Sequence, residues 1–449
     1  MDRRSFLTLT SAAACSAILS RRVEPPRPRP SPEQLAWQRR ELSLFLPFGL
    51  STFTGQEWGE GTEDPMLFLP EALDVRQWVR AAKAGGFGTL MLTAKHRDGF
   101  CLWPSQVTGY SIRASRWRDG RGDLVGELAS ACRAEQLGFG FYLSPWDRNA
   151  PSYGDSPRYN DFYCEQLAEL LTRYGPIAEV RFDGAAGEGP GGGPQVYDWP
   201  RIYALVRKYQ PAALIFSDAG PDLRWIGDEG GKSGDPNWCA VDPGVVPYPG
   251  VEGPAVRDML QHGDPDGTVW RPAESEVSIR PHWFWHPEDD GQVRSSGDLM
   301  DLYFASVGRN AALRLGVPPT RAGLLQDSDV RHLTEFGNVR ERLFMRDLTV
   351  GAVRSQSDRG HQMRLILPRA VEFDVVMLEE EIDRGQTVSA HHVDVRREGA
   401  WLTVAEGTTI GSKRLHRIPG SSASDVRLVI EASIGDPHIR RFSLHTSLQ

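Results

Sequence analysis

Cysteine is scarce in this 449-residue chain. Only Cys15, Cys101, Cys132, Cys164 and Cys239 occur, with no Cys-x-x-Cys pair and no cysteine–histidine run at zinc spacing. A disulfide framework and a structural zinc module are therefore not indicated, and Cys132 and Cys164, which fall in helical patterns, are expected to be buried free thiols. Basic charge is not in excess. Lys and Arg number 51 against 59 Asp and Glu, a net charge of -8, which leaves no electrostatic footprint for nucleic acid. No Gly-rich phosphate loop follows an early strand, so the main signature of a doubly wound nucleotide-binding sheet is missing. No internal repeat of solenoid period is visible, and no metal or other cofactor is implied.

What is present is an ordinary globular composition. Apolar residues make up 40% and charged residues 24%, enough for a sizeable core and against global disorder. Thirteen Trp are many. Indole faces stack on the C–H faces of sugars, and they also fill large barrel cores; the count alone leaves both readings open.

The N-terminus reads as a targeting segment. Residues 1–20 (MDRRSFLTLTSAAACSAILS) place Arg3-Arg4 before Ser5-Phe6-Leu7, the twin-arginine export pattern, and then a short, weakly apolar stretch. That stretch is too short and too rich in Ser, Thr and Ala to span a membrane. Export to the periplasm or the outside is expected. Cys15, preceded by Ala12-Ala13-Ala14, is a candidate lipid-attachment site, although Ala12 rather than Leu stands at the −3 position. A Pro/Arg-rich linker of extended character covers residues 21–34.

From 35 to 347 short apolar runs alternate with amphipathic helical patterns. Residues 44–50 (LFLPFGL), 89–95 (TLMLTAK), 138–144 (GFGFYLS), 178–183 (AEVRFD) and 213–218 (ALIFSD) read as buried strands. Helices are expected over 74–84, 123–136, 159–174 and 199–209, each closed by Gly or Pro. Repeated strand–helix units imply a parallel sheet with right-handed crossovers, here a (β/α)8-type barrel. Polar residues gather just after each strand: His96-Arg97-Asp98, Pro145-Trp146-Asp147, Asp183-Gly184 and Asp218. In a barrel that is the C-terminal mouth, where chemistry sits. From 348 to 449 the period shortens to alternating β-branched runs separated by Arg384-Gly385, Glu398-Gly399, Pro419-Gly420 and Gly435-Asp436-Pro437, which reads as an antiparallel β-sandwich.

Two carboxylates stand out. Asp183 ends an apolar strand and precedes Gly184, a position equally suited to a plain strand-end turn. Glu229 lies on a Gly-rich loop, with Asp228 as its direct competitor. Glycosidic cleavage ordinarily needs two carboxyls, one to attack or to activate water and one to protonate the leaving oxygen. Around this pair, His96, Arg97, Trp103, Tyr142, Trp146, Trp225, Trp283 and Trp285 are candidates for a stacking, hydrogen-bonding sugar cleft.

At these residues the chain resembles glycoside hydrolase family 29, the α-L-fucosidases. The matching stretches are Gln56-Glu57-Trp58-Gly59, Ala94-Lys95-His96-Arg97-Asp98-Gly99-Phe100-Cys101-Leu102-Trp103-Pro104-Ser105, Leu143-Ser144-Pro145-Trp146-Asp147-Arg148-Asn149, Val180-Arg181-Phe182-Asp183-Gly184-Ala185, Gly220-Pro221-Asp222-Leu223-Arg224-Trp225, Ser306-Val307-Gly308-Arg309-Asn310 and Thr408-Thr409-Ile410-Gly411-Ser412-Lys413-Arg414. The resemblance runs from about 35 to 445, and its Cys-Leu-Trp-Pro-Ser and Ser-Pro-Trp-Asp-Arg-Asn forms look like the plant-type subgroup, which favours α-1,3/1,4-linked fucose on branched glycans. It implies an exo-acting, retaining glycosidase with an oligosaccharide or glycoconjugate substrate. Asp183 then matches the nucleophile and Glu229 the acid/base, with Glu57, Trp58, His96, Arg97, Tyr142, Trp146, Arg181, Trp225 and Trp283 around the sugar. It further implies an ionised Asp183 near Arg or backbone donors, and a Glu229 of raised pKa in a less polar setting.

Three positions depart from the family pattern. Pro47 replaces a first-strand His, Arg97 replaces the second His of a His-His pair, and Arg181 replaces the Trp two residues before the nucleophile. Three readings follow: an altered fucose pocket; two arginines that bind an anionic substituent; or arginines that salt-bridge Asp183 or Asp98 and leave a degenerate, merely sugar-binding site.

Overall fold

The computed structural model describes residues 27–357 and 361–447. The export pattern at 1–20, Cys15 and the first part of the linker lie outside the described residues. Residues 32–34, assigned to the linker from sequence, open the first helix, Pro32–Arg40. Ser31 caps it in a reciprocal capping box with Gln34, and the Gln34 amide also donates to the carbonyls of Asp222 and Trp270.

Eight parallel strands close into a barrel: β1 (Leu42–Leu46), β2 (Thr89–Lys95), β3 (Gly138–Leu143), β4 (Glu179–Arg181), β5 (Leu214–Ser217), β6 (Leu223–Trp225), β7 (Ala273–Ser278) and β8 (Ala311–Gly316). Neighbours in sequence are neighbours in space. Closure is made by β1, which pairs Ser43 with Thr89 on one side and Leu42 with Leu313 on the other. Helices follow the strands except between β5 and β6, which are joined directly through residues 218–222. The helix Val75–Gly85 shows the local logic. Asp74 caps its N-terminus by accepting from the Arg76 N–H, and Gly86 ends it at φ 77, a left-handed value that favours glycine. Its inward stripe of Val75, Trp78, Val79, Ala81 and Ala82 is buried on the barrel.

The expected strand at 44–50 ends early, at Leu46, because Pro47 has no N–H to continue the ladder; Leu50 instead opens the short helix Leu50–Thr54. The sulfur atoms at Cys101, Cys132, Cys164 and Cys239 are buried and free. No helix among the described residues is long and apolar enough to cross a membrane.

After the helix Asp327–Met345, Leu348 already packs in a second core. An antiparallel sheet follows: β9 (Val353–Gln356), β10 (Gln362–Glu380), β11 (Val388–Arg397), β12 (Ala400–Gly407), β13 (Arg414–Ser433) and β14 (Ile439–His445). Strand β10 runs its full length interrupted only by bulges, between Ile366 and Val371 and between Phe373 and Val375. Likewise β13 passes straight through Pro419-Gly420, which the sequence suggests as a turn; Val375–Arg417 and Glu372–Ser422 pairing holds that segment in the ladder. Both halves of the two long strands feed one core, including Leu365, Phe373, Val376, Val426 and Phe442. By strand alternation Val375 and Met377 face the other way and join the barrel core together with Leu415. Polar contacts fix the docking. Arg414 grips Asp235 with both terminal nitrogens, at 2.9 and 2.8 Å, and the Asn310 side chain bonds to the Asn237 carbonyl and the Ser412 N–H. A Cβ on Gly411 would lie 2.2 Å from Asn310, so that closeness requires glycine.

Candidate active site

The C-terminal ends of the barrel strands surround a cavity of about 200 Å³. Phe45, Pro47, Glu57 and Trp58 come from β1 and the loop after it, Thr93, His96 and Arg97 from β2, and Tyr142 from β3. Arg181 and Asp183 come from β4, Glu229 from the loop after β6, and Glu276, Trp283 and Phe284 from β7 and its following loop. A larger cleft of about 490 Å³ opens at the opposite mouth, against the strand starts at Thr89, Gly138 and Glu179. It lacks a facing pair of carboxyls other than the ion-paired Glu179 and the helix residue Glu33.

Asp183 is half-buried. Its Oδ2 accepts from the Tyr142 hydroxyl at 2.7 Å and its Oδ1 from the Ala185 N–H at 3.2 Å. Burial first, then the charge of Asp183, pushes the Tyr142 phenol well up, so it stays a neutral donor. Glu229 stands on an exposed loop and its Oε2 accepts from the Trp283 indole N–H at 2.7 Å. The less polar setting expected for Glu229 is therefore not what the fold provides; a five-residue neighbourhood rich in glycine keeps it at the solvent edge. Its competitor Asp228 is engaged elsewhere, with the Gly230 N–H and the Gln261 amide.

The loop bearing Trp283 is held by Glu57, whose two oxygens accept from the N–H groups of Trp283, at 2.6 Å, and Phe284, at 3.3 Å. Burial nonetheless raises the Glu57 pKa above its ordinary value, the two backbone donors opposing it. His96 is forced neutral, its pKa down at about 3, by burial and then by Arg97. Its Nδ1 has no hydrogen-bond partner among the described residues.

The two arginines behave differently. Arg181 does not touch Asp183. It is buried, bonded to Glu274 at 3.1 Å and ion-paired to Glu276, with its guanidinium carbon 3.8 Å from the Phe216 ring centroid. Glu274 in turn holds Arg314, which also pairs with Glu179, so a chain of buried charges crosses the barrel interior. Arg97 pairs with neither Asp183 nor Asp98. Its guanidinium lies over the rings of Trp58, at 4.5 Å, and Trp146, at 4.9 Å. The arginine–aspartate bridges that a degenerate site would need are not made.

Several aromatic candidates fall elsewhere. Trp225 does not line the cavity: in the three-residue β6 it shares the side of Leu223 and packs with Phe216 and Ala312, its indole N–H buried. Trp103 is core, donating to Glu169 at 2.7 Å, and Trp285 turns to Asp290 at 3.2 Å. Trp146 reaches the site only through Arg97; its own N–H holds the Glu188 carbonyl at 3.0 Å. Conversely, Phe45, Thr93, Glu276 and Phe284 are residues that sequence reasoning missed. For Glu276 a signal existed: the alternation in Ala273-Glu274-Ser275-Glu276-Val277-Ser278 puts both glutamates on one strand face. Burial, opposed by Arg181 and Arg314 and reinforced by Glu274 and Glu229, pushes the Glu276 carboxyl up to about 7.

Among the described residues one group has metal-ligand chemistry, His282, His286 and Asp289, with ligand atoms within 4.8 Å of one another. Each is already engaged. His282 Nδ1 meets Asp289 at 2.9 Å, and the two His286 nitrogens face the carbonyls of Phe284 and Gly55. The group buttresses the loop that carries Trp283.

The sequence model of the α-L-fucosidase family matches residues 53–341. The chain belongs to the α-L-fucosidase family. It is a glycoside hydrolase. α-L-Fucosidase 1 of Arabidopsis thaliana is 40% identical over 98% of this chain and 92% of its own length. A crystal structure of a glycoside hydrolase 29 family member from a rumen bacterium superposes with a TM-score of 0.88 at 38% identity, covering 95% of this chain and 78% of that one. A Ruminococcus gnavus fucosidase of the same family, solved with fucose, superposes with a TM-score of 0.83 at 30% identity, covering 95% and 97%. A family 29 α-L-fucosidase acts on a fucosylated glycan, and the cavity described above lies where barrel enzymes do their chemistry.

Proposed function

We propose that this α-L-fucosidase works by double displacement with retention, Asp183 as nucleophile and Glu229 as acid/base. One observation carries the reading: both carboxyls face the same small cavity at the C-terminal mouth, in opposite settings. Asp183, half-buried and accepting two hydrogen bonds, is held in place facing a cavity sized for a single sugar. Attack by its carboxylate on the anomeric carbon forms a glycosyl ester and expels the aglycone oxygen. Glu229, on the solvent side and oriented by the Trp283 indole, gives that oxygen its proton, then takes one from the water that cleaves the ester. The cavity is closed toward the barrel floor by the Arg181–Glu276 pair, which fits exo action on a terminal residue.

Azide tests the roles separately. Asp183→Ala with azide should give fucosyl azide of inverted configuration, and Glu229→Ala with azide the retained configuration. The same configuration from both variants would reject the assignment. We further infer that the linkage is α-1,3 or α-1,4 on branched glycans, from the motifs shared with the plant-type subgroup. Equal rates on an α-1,2-linked disaccharide would count against it. We also infer export through the twin-arginine pattern at Arg3-Arg4. Replacing both with Lys should trap activity inside the cell, and unchanged release would refute this; a mass shift at Cys15 would report lipidation.

A further inference from the structure

Arg97 is the group in the cavity whose bonding capacity is least used. Its guanidinium makes no hydrogen bond and no ion pair among the described residues. Its contacts are the Trp58 and Trp146 rings at 4.5 and 4.9 Å. Guanidinium N–H donors lie in the plane of the group, and with two ring contacts and no hydrogen-bond partner among the described residues those donors are unspent. Trp58 is 60% exposed, which places this arrangement at the rim. Arg97 also lines the cavity with His96 and Asp183. The other cation there, Arg181, is consumed by Glu274 and Glu276, and nearby Arg148 is held by Glu60 and the Gly59 carbonyl. Among the described residues, Arg97 is thus the one cavity-lining cation with donors to offer.

A planar fork of N–H donors backed by aromatic faces matches a group with two or more anionic oxygens. Neutral hydroxyls alone do not require a permanent charge, and a positive charge held without a counter-ion is best matched by an anion brought in by the ligand. We propose that Arg97 is a specificity-determining residue that recognises an anionic substituent, a sulfate or a carboxylate, on the fucosylated substrate. This rests on the reading that the cavity around Asp183 and Glu229 is where cleavage takes place. Arg97 would add affinity for charged glycans without entering the bond-breaking steps.

The test compares substrates within each enzyme form. The full-length mature protein is assayed at low ionic strength on 4-nitrophenyl α-L-fucoside with and without a sulfate on the fucose, and on a Lewis-type trisaccharide with and without a sulfate on the branch sugar. The unaltered enzyme should favour at least one sulfated member over its neutral parent in kcat/KM, on the order of tenfold to a hundredfold, as expected of a charge-assisted hydrogen-bonded pair. Which pair shows the preference identifies the sugar that carries the anion. Arg97→Gln should abolish the preference and Arg97→Lys should leave part of it, because it keeps the charge and loses the fork. If Arg97→Gln lowers all rates, calorimetric binding of sulfated against unsulfated fucose supplies the same ratio without turnover. A ratio at or below one in the unaltered enzyme, or a preference that survives Arg97→Gln, overturns the proposal. Undiminished cleavage of the neutral fucoside by Asp183→Asn would instead overturn the assignment of the cavity.

Discussion

Glu276 gives a prediction that can be worked through from the structure. Its carboxyl is buried in the barrel, pressed by Glu274 and Glu229 and opposed by Arg181 and Arg314, and it is pushed from an ordinary 4.5 up to about 7. The folded protein therefore binds a proton at Glu276 between these two values when the unfolded chain does not. A carboxyl raised in the folded state makes stability fall as pH rises through that window. Below it the group is protonated in both states and contributes nothing; above it the full cost of the buried charge is present. At about 1.4 kcal/mol for each tenfold change in proton affinity, the displacement amounts to about 3 kcal/mol. Glu276→Gln keeps the shape and an acceptor for Arg181 but cannot ionise. Urea unfolding of both proteins at several pH values isolates the group, since other titrations cancel in the difference. The variant's stability relative to the parent should rise by about 3 kcal/mol from acid to neutral pH. A difference that stays constant across the window would refute the reasoning, and would mean that Arg181 compensates the carboxylate fully.

Three further outcomes test the site. Asp183→Asn should fold normally and lose activity on the order of ten-thousandfold, as removal of a nucleophile does; a loss under about tenfold on 4-nitrophenyl α-L-fucoside would exclude that role. Tyr142→Phe removes the 2.7 Å hydrogen bond to Asp183, worth about 1.5–3 kcal/mol to a charged acceptor, so kcat/KM should drop by roughly tenfold to a hundredfold. Trp283→Phe keeps a ring against Phe45 but loses the N–H that orients Glu229. Cleavage of the trisaccharide, whose poor leaving group needs protonation, should suffer by about tenfold while the 4-nitrophenyl substrate is nearly spared; equal losses on both would show that the indole acts on something other than the acid.

How much of this was legible in the sequence depended on how strongly each residue was determined by its own neighbours. Strand β2 and the helix Trp199–Tyr209 match the expected runs end to end, because an unbroken apolar run and a Pro-opened, amphipathic stretch each admit one reading. Strands β6 to β8 were not marked. β6 is only three residues long, with the polar Arg224 between Leu223 and Trp225, and β7 carries Glu274 and Glu276 inward, where buried ion pairs replace the apolar signal. The length of β10, and the passage of β13 through Pro419-Gly420, depend on bulges and long-range pairing that no local turn residue reports. That Asp183 and Glu229 share one cavity was legible from a strand-end position for the first and a loop motif for the second. Trp225 shows the limit of a motif match: it faces the barrel interior in register with Glu274, packed on Phe216 and Ala312, and does not line the cavity.

The departures at Pro47, Arg97 and Arg181 are best understood by asking what each positive charge is answered by. An arginine two residues before a nucleophilic carboxylate, on the same strand face, would ordinarily be its counter-ion, and an Arg181–Asp183 bridge would quench the nucleophile. Here Glu276, two residues from Glu274 on β7, meets the guanidinium first. Two arginines and three glutamates then close on one another inside the barrel, leaving Asp183 to a neutral phenol and a backbone N–H. A hydrogen bond from a neutral donor stabilises the anion without cancelling its charge, which is what attack on an anomeric carbon requires. The Arg181–Glu276 pair therefore leaves Asp183 without a counter-ion among the described residues while forming part of the pocket lining. Arg97 is the charge that this accounting leaves unanswered, and Pro47 contributes only a hydrocarbon wall beside it. Together they give a pocket with a hydrocarbon wall at Pro47 and, at the rim, a guanidinium unpaired among the described residues, facing the same space as the carboxyls of Asp183 and Glu229.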